Sequence, residues 1–116
     1  MKAYKVYKML KPDLPQGTLD LLILQTLTAG PLHGYGVTRR MAQRSRDIVQ
    51  VQQGSLYPAL HRLEEKGWLN AEWRESEQGR MAKFYSLTQA GQKQLASEKY
   101  HWARLLEGVG LILQSE

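Results

Sequence analysis

Cysteine is absent from the 116-residue chain. That excludes a disulfide framework, a thiolate nucleophile and any cysteine-built zinc site. Histidine occurs only three times, at His33, His61 and His101, far apart and never in an HExxH-type pair, so no metal site is expected. The longest uninterrupted aliphatic stretch, Leu21-Leu22-Ile23-Leu24, falls far short of the ~18 residues that span a bilayer. No apolar segment follows the basic start at Met1-Lys2, so no signal peptide is expected. Gly34-Tyr35-Gly36 matches no phosphate-cradling loop, because no strand is expected before it and no lysine with Ser or Thr follows it. The carboxylate pair Glu64-Glu65 occupies adjacent helical positions, whose side chains do not face one another. Nothing here assembles a catalytic constellation or asks for a cofactor. The expectation is a soluble, cytosolic, single-domain protein that is not an enzyme and has no membrane partner.

What the chain does have is positive charge. Sixteen Lys and Arg against eleven Asp and Glu leave a net charge of +5, which favours a polyanionic partner. The charge is grouped. Lys2, Lys5, Lys8 and Lys11 line the N-terminus; Arg39, Arg40, Arg44 and Arg46 crowd a second stretch; Arg74, Arg80 and Lys83 form a third.

Residues 1–15 read as an arm, interrupted by Pro12 and Pro15 and carrying Tyr4, Tyr7 and Leu10 on one side of a short helix. From Gln16 the stripe Leu19, Leu22, Ile23, Leu27 predicts a helix facing a core, stopped at Gly30-Pro31. A second helix is expected from about His33-Gly34 to Arg44, with Tyr35, Thr38, Met41 and Ala42 inward. The segment Ile48-Val49-Gln50-Val51 has the pattern of a short strand. A third helix runs from Ser55, as N-cap, to Lys66, with Pro58 in its first turn and Leu56, Ala59, Leu60 and Leu63 buried. Alternation over Trp68–Glu75 and Met81–Leu87 predicts a hairpin around the loop 76–80, with Leu69, Ala71 and Trp73 on one side. Thr88 then caps a last helix to about Leu113. On it Leu95, Trp102, Leu106, Val109 and Leu113 make a seam of three- and four-residue steps once Lys99 is counted as a slot.

Helix, helix, helix, hairpin, long helix is the order of a winged helix-turn-helix followed by a dimerisation helix, a mainly α fold with a small β-hairpin. The expected division is an arm over 1–15, a winged domain over 16–88 and the terminal helix over 89–116. In such a fold the third helix enters the DNA major groove. Gln53, Ser55, Tyr57, Pro58, His61 and Arg62 on that helix, Arg80 and Lys83 on the hairpin, and Tyr35 and Arg39 on the second helix form the candidate DNA-binding set. Gln pairs with adenine, while Arg suits guanine or phosphate. The residues alone leave open a winged helix that serves protein contacts instead. The terminal seam has nothing left in so small a chain to cover it, so a second copy is expected there. Two-fold pairing would set two recognition helices ~34 Å apart on a palindromic site.

Several segments together resemble the PadR family of bacterial transcriptional regulators, over roughly Leu14 to Leu113. They are Gly17-Thr18-Leu19-Asp20-Leu21-Leu22-Ile23-Leu24, Pro31-Leu32-His33-Gly34-Tyr35-Gly36, the long ungapped Gly54-Ser55-Leu56-Tyr57-Pro58-Ala59-Leu60-His61-Arg62-Leu63-Glu64, Lys66-Gly67-Trp68-Leu69, and the wing from Gly79 to Thr88 with Gly91 after it. The resemblance is to the compact branch with a single C-terminal helix. It implies a dimer that represses promoters and responds to small molecules. It also implies that Ser55, Tyr57, Pro58 and Arg62 belong to the DNA-facing helix and Arg80 and Lys83 to the wing. Trp102 matches a tryptophan common on the family's C-terminal helix, which implies an aromatic effector held there. Met81-Ala82 stand where the family usually carries Pro or Arg, so the wing is less basic.

Overall fold

The structure, a computed structural model, describes residues 14–115. The arm expected over 1–15 lies outside the described residues, apart from Leu14 and Pro15. Helix α1 (Gln16–Thr26) is continued by a 3-10 turn (Leu27–Ala29); strand β1 (Leu32–His33) leads into α2 (Gly34–Arg44), and α3 (Gln53–Glu65) follows. Strands β2 (Leu69–Glu75) and β3 (Met81–Leu87) form the hairpin, and α4 (Gln89–Gln114) ends the chain. The sheet has the order β1-β3-β2 and is antiparallel throughout. Mainly helical with a small sheet, this is a winged helix.

The core is built on α1. Leu19, Leu21, Ile23 and Leu24 are all buried, with Leu27 beside them, and they meet Val37 and Met41 of α2, Leu56, Leu60 and Leu63 of α3, and Leu95 of α4. A helix packed by neighbours on several sides cannot keep a narrow amphipathic stripe. The predicted stripe therefore understates its burial. Asp20 is buried among these leucines as well, at 6% exposure, and the apolar pattern gave no sign of it.

Several local expectations change. On α2 the inner face is Gly34, Val37 and Met41, while Tyr35 turns out to 58% exposure. Strand β1, which carries no strand pattern of its own, exists because Leu32 and His33 pair with Tyr85 and Phe84 of β3. The stretch 48–51 forms no strand. Arg46 and Asp47 both adopt left-handed φ, of 53° and 65°, so their amide N–H groups reach back to Gln43 and Ala42 and the chain reverses. Val49 then lines a pocket of about 160 Å³ with Leu22 and Met41. The N-cap of α3 lies three residues earlier than expected, at Gln52 rather than Ser55, which makes Pro58 the helix's sixth residue. Without an amide N–H, Pro58 cannot donate to the carbonyl of Gly54, and both residues face outward.

A polar clasp joins α4 to the rest. Thr88 caps α4 by accepting the Gly91 N–H at 2.9 Å; its hydroxyl also donates to the Gly67 carbonyl at 2.7 Å, and its N–H to Trp68 O at 3.1 Å. The contact is close enough that a Cβ on Gly91 would sit 2.1 Å from the Trp68 carbonyl oxygen. We expect Gly91→Ala to cost about 1–3 kcal/mol, as overpacking does. Gly17→Ala, where a Cβ meets nothing within 4 Å, should leave the urea midpoint close to that of the parent.

Candidate nucleic-acid interface

Opposite its buried face (Leu56, Ala59, Leu60 and Leu63), α3 presents Gly54, Ser55, Pro58, His61 and Glu65 to solvent. His61 lies 3.7 Å from Glu65 one turn on, an exposed pairing of little energetic weight. At the helix start the Gln53 amide donates to Thr38 Oγ1 of α2 at 3.4 Å.

The two flanks of α3 are held by neighbours. On one, Tyr57 lies over Gly34, where an added Cβ would come within 2.6 Å of the phenol oxygen. Glycine at the start of α2 is therefore what lets the two helices of the motif close on each other. Further along this flank Glu64 meets Lys83 of the wing, Oε1 to Nζ 3.1 Å. On the other flank Arg62 hydrogen-bonds to the buried Asp20 carboxylate of α1.

Two of the cations expected to face DNA have carboxylate partners within this chain: Arg62 is drawn toward α1 by Asp20, and Lys83, its side chain still one-third exposed, pairs with Glu64 at the surface. Burying the Asp20 carboxylate among leucines demands a cation, and Arg62 supplies it. Lys83 follows from strand alternation, since Lys83 and Tyr85 point to α3 while Ala82 and Phe84 point away. Hydrogen bonding to Glu64 holds the Lys83 ammonium above the ordinary lysine value of 10.5. Burial pushes the neighbouring Tyr85 phenol above its ordinary 10.0. Of the other candidates, Gln53, Ser55, Tyr57, Pro58 and His61 are exposed along α3, Tyr35 and Arg39 sit together on α2, and Arg80 lies in the exposed wing loop.

The terminal helix has two environments. Leu95, expected in the seam, is buried in the core of its own chain and is not available to a second copy. Beyond it α4 projects, exposing Trp102, Leu105, Leu106, Val109, Ile112 and Leu113. Trp73, expected beside Leu69 and Ala71, does lie on their side of β2, but past the edge of the core, at 65% exposure. Among the described residues there is no His, Asp or Glu group that would hold a metal ion, and no helix long and apolar enough to cross a membrane.

Arg62→Ala strands the buried carboxylate and should cost about 1–3 kcal/mol in urea unfolding. Adding Asp20→Asn should recover part of the loss, because an amide is cheaper to bury than a charge. A double variant no more stable than Arg62→Ala would show that Asp20 is not stranded. Both raised pKa values have one sign: their stabilisation is complete below the unfolded values near 10 and is lost as pH climbs through the raised folded values. The melting temperature should therefore fall as pH rises above about 10, and fall less in the double variant Lys83→Met with Tyr85→Phe.

Known proteins supply the remaining comparison. The model of the PadR-like transcriptional regulator family matches residues 23–97, well over half of the chain. Transcriptional regulator Rv3488 of Mycobacterium tuberculosis is 33% identical over 87 residues, covering 75% of this chain and 78% of that protein. The crystal structure of a PadR-like transcriptional regulator from Bacillus cereus superposes with a TM-score of 0.72 at 28% identity, over 94% of this chain and 99% of the other. A transcriptional regulator from Clostridium thermocellum shares the fold at a TM-score of 0.78 and 21% identity, over 85% and 96% of the two chains. The chain belongs to the PadR-like family of transcriptional regulators, whose members bind DNA.

Proposed function

We propose that this regulator is a homodimeric repressor of a palindromic promoter operator. The observation that carries the reading is the projecting half of α4, where Trp102, Leu106, Val109 and Leu113 recur at steps of four, three and four and stand 37–78% exposed. That spacing suits a helix seam with a second copy. Pairing by a two-fold axis places two α3 helices about one DNA turn apart, ~34 Å. Each α3 then presents Gln53, Ser55, Pro58 and His61 to base edges, with Tyr57 beside them. Tyr35, Arg39 and Arg80 meet the backbone. Arg62 and Lys83 act from behind, by fixing α3 against α1 and the wing. Trp102 lies within the seam, and a flat aromatic effector stacked on it there releases the operator by changing the spacing of the two α3 helices.

The test uses the purified chain. Sedimentation equilibrium should give a dimer at micromolar concentration, and Leu106→Asp with Val109→Asp should give a monomer. That monomer should lose preference for a selected palindromic duplex over a scrambled one by at least tenfold in fluorescence anisotropy. A monomer that keeps the preference overturns the reading.

A further inference from the structure

The wing carries its cations on two faces, and the two faces give them different partners. Lys83 points inward to Glu64. Arg74 points to the opposite face, where its guanidinium carbon lies 4.3 Å from the centroid of the Phe84 ring. Across the sheet from Arg74 stands Ala82, too small to displace it. Phe84 is met edge-on by His33 of β1, centroids 5.2 Å apart. His33 in turn stacks on Tyr35 at 6.5 Å and 15°, and Arg39 lies 5.7 Å over the Tyr35 ring. His33 is fixed in this row because its Nδ1 accepts the Gly36 N–H and so caps α2. The result is a continuous stripe with an aromatic middle and a guanidinium at each end.

From this stripe we infer that Arg74 is a phosphate anchor of the wing, working with Arg39 as a pair that grips the sugar–phosphate backbone along the row beside the N-terminal end of α3. The inference rests on duplex binding by this surface. Its position fits that path. The stripe starts beside the N-terminal end of α3, where Gly34 meets Tyr57 and Thr38 meets Gln53, and runs outward along the wing. Its chemistry fits as well. An arginine lying on an aromatic face keeps its N–H donors in the ring plane free for phosphate oxygens and loses little freedom on binding. The carboxylate that faces Arg74 is Glu72, 3.7 Å away with both side chains largely in water. Such a pairing is weak enough for a phosphate to displace.

The phosphate contribution is independent of sequence, so the probe is a fluorescein-labelled duplex of random sequence, about 30 base pairs long, titrated over a range of salt concentration. Each phosphate contact contributes about 0.9 to the slope of log affinity against log salt. Arg74→Ala should lower the slope by about that amount, and Arg74→Lys should restore it, while Lys93→Met, which removes an exposed charge on α4, leaves it at the parent value. Phe84→Leu keeps the charge but removes its platform, so affinity should fall severalfold with the slope retained. An unchanged slope in Arg74→Ala, with the parent chain binding steeply, overturns the inference, as does a lowered slope in Lys93→Met alone. Absence of salt-dependent binding by the parent chain would instead remove the duplex reading itself.

Discussion

A carboxylate among leucines sets the constraint that organises the rest of this molecule. Asp20 lies on α1, the helix through which nearly every other element is packed, and its charge has no solvent to turn to. Only a cation from a neighbouring element makes that position tolerable, and Arg62 supplies it from α3. The pair therefore fixes the rotation of α3 about its own axis as well as its distance from α1. With Arg62 drawn to one flank and Glu64 with Tyr57 held on the other, Pro58 and His61 are left facing outward. The face offered to a partner is thus decided from behind.

The wing is oriented by the same kind of division. Strand alternation sends Lys83 and Tyr85 toward α3 and Phe84 away, so the hairpin is locked to the recognition helix by charge on one side and carries an aromatic row on the other. Two glycines permit the close approaches this needs. Gly34 admits the Tyr57 ring between α2 and α3, and Gly91 admits the Trp68 carbonyl beneath α4. Since α4 enters the core through that clasp and packs Leu95 against α1, the helix proposed to join two copies is mechanically continuous with the helix that holds Arg62.

Much of this was legible in the residues. The hairpin strands, the N-cap at Thr88 and the extent of α2 and α4 follow from alternation, capping chemistry and periodicity, which are local. The family is legible for a similar reason: the run from Gly54 to Glu64 and the wing segment are contiguous in sequence. The failures share a cause. Tyr35 was placed inward because it sits at a helical spacing with Met41, yet Val37 and Gly34 occupy that face. Leu95 was joined to the terminal seam because its spacing permits it, yet α1 already covers it. Ser55 has the chemistry of an N-cap, yet α3 starts earlier, where α2 and the reversing loop deliver the chain.

Sequence alone thus determined the order of the helices and the hairpin, the class of fold, the family and the stock of cations on which any contact with a polyanion depends, because each is written in neighbouring residues. Tertiary structure decided which of those cations remain available. Arg62 and Lys83 look like surface charges until Asp20, 42 positions away in the chain, and Glu64, on a different element, are brought beside them. Arg74 gains its aromatic platform only when β3 pairs with β2. Charge is a property of a residue, whereas its availability depends on the partners that folding places within a few ångströms.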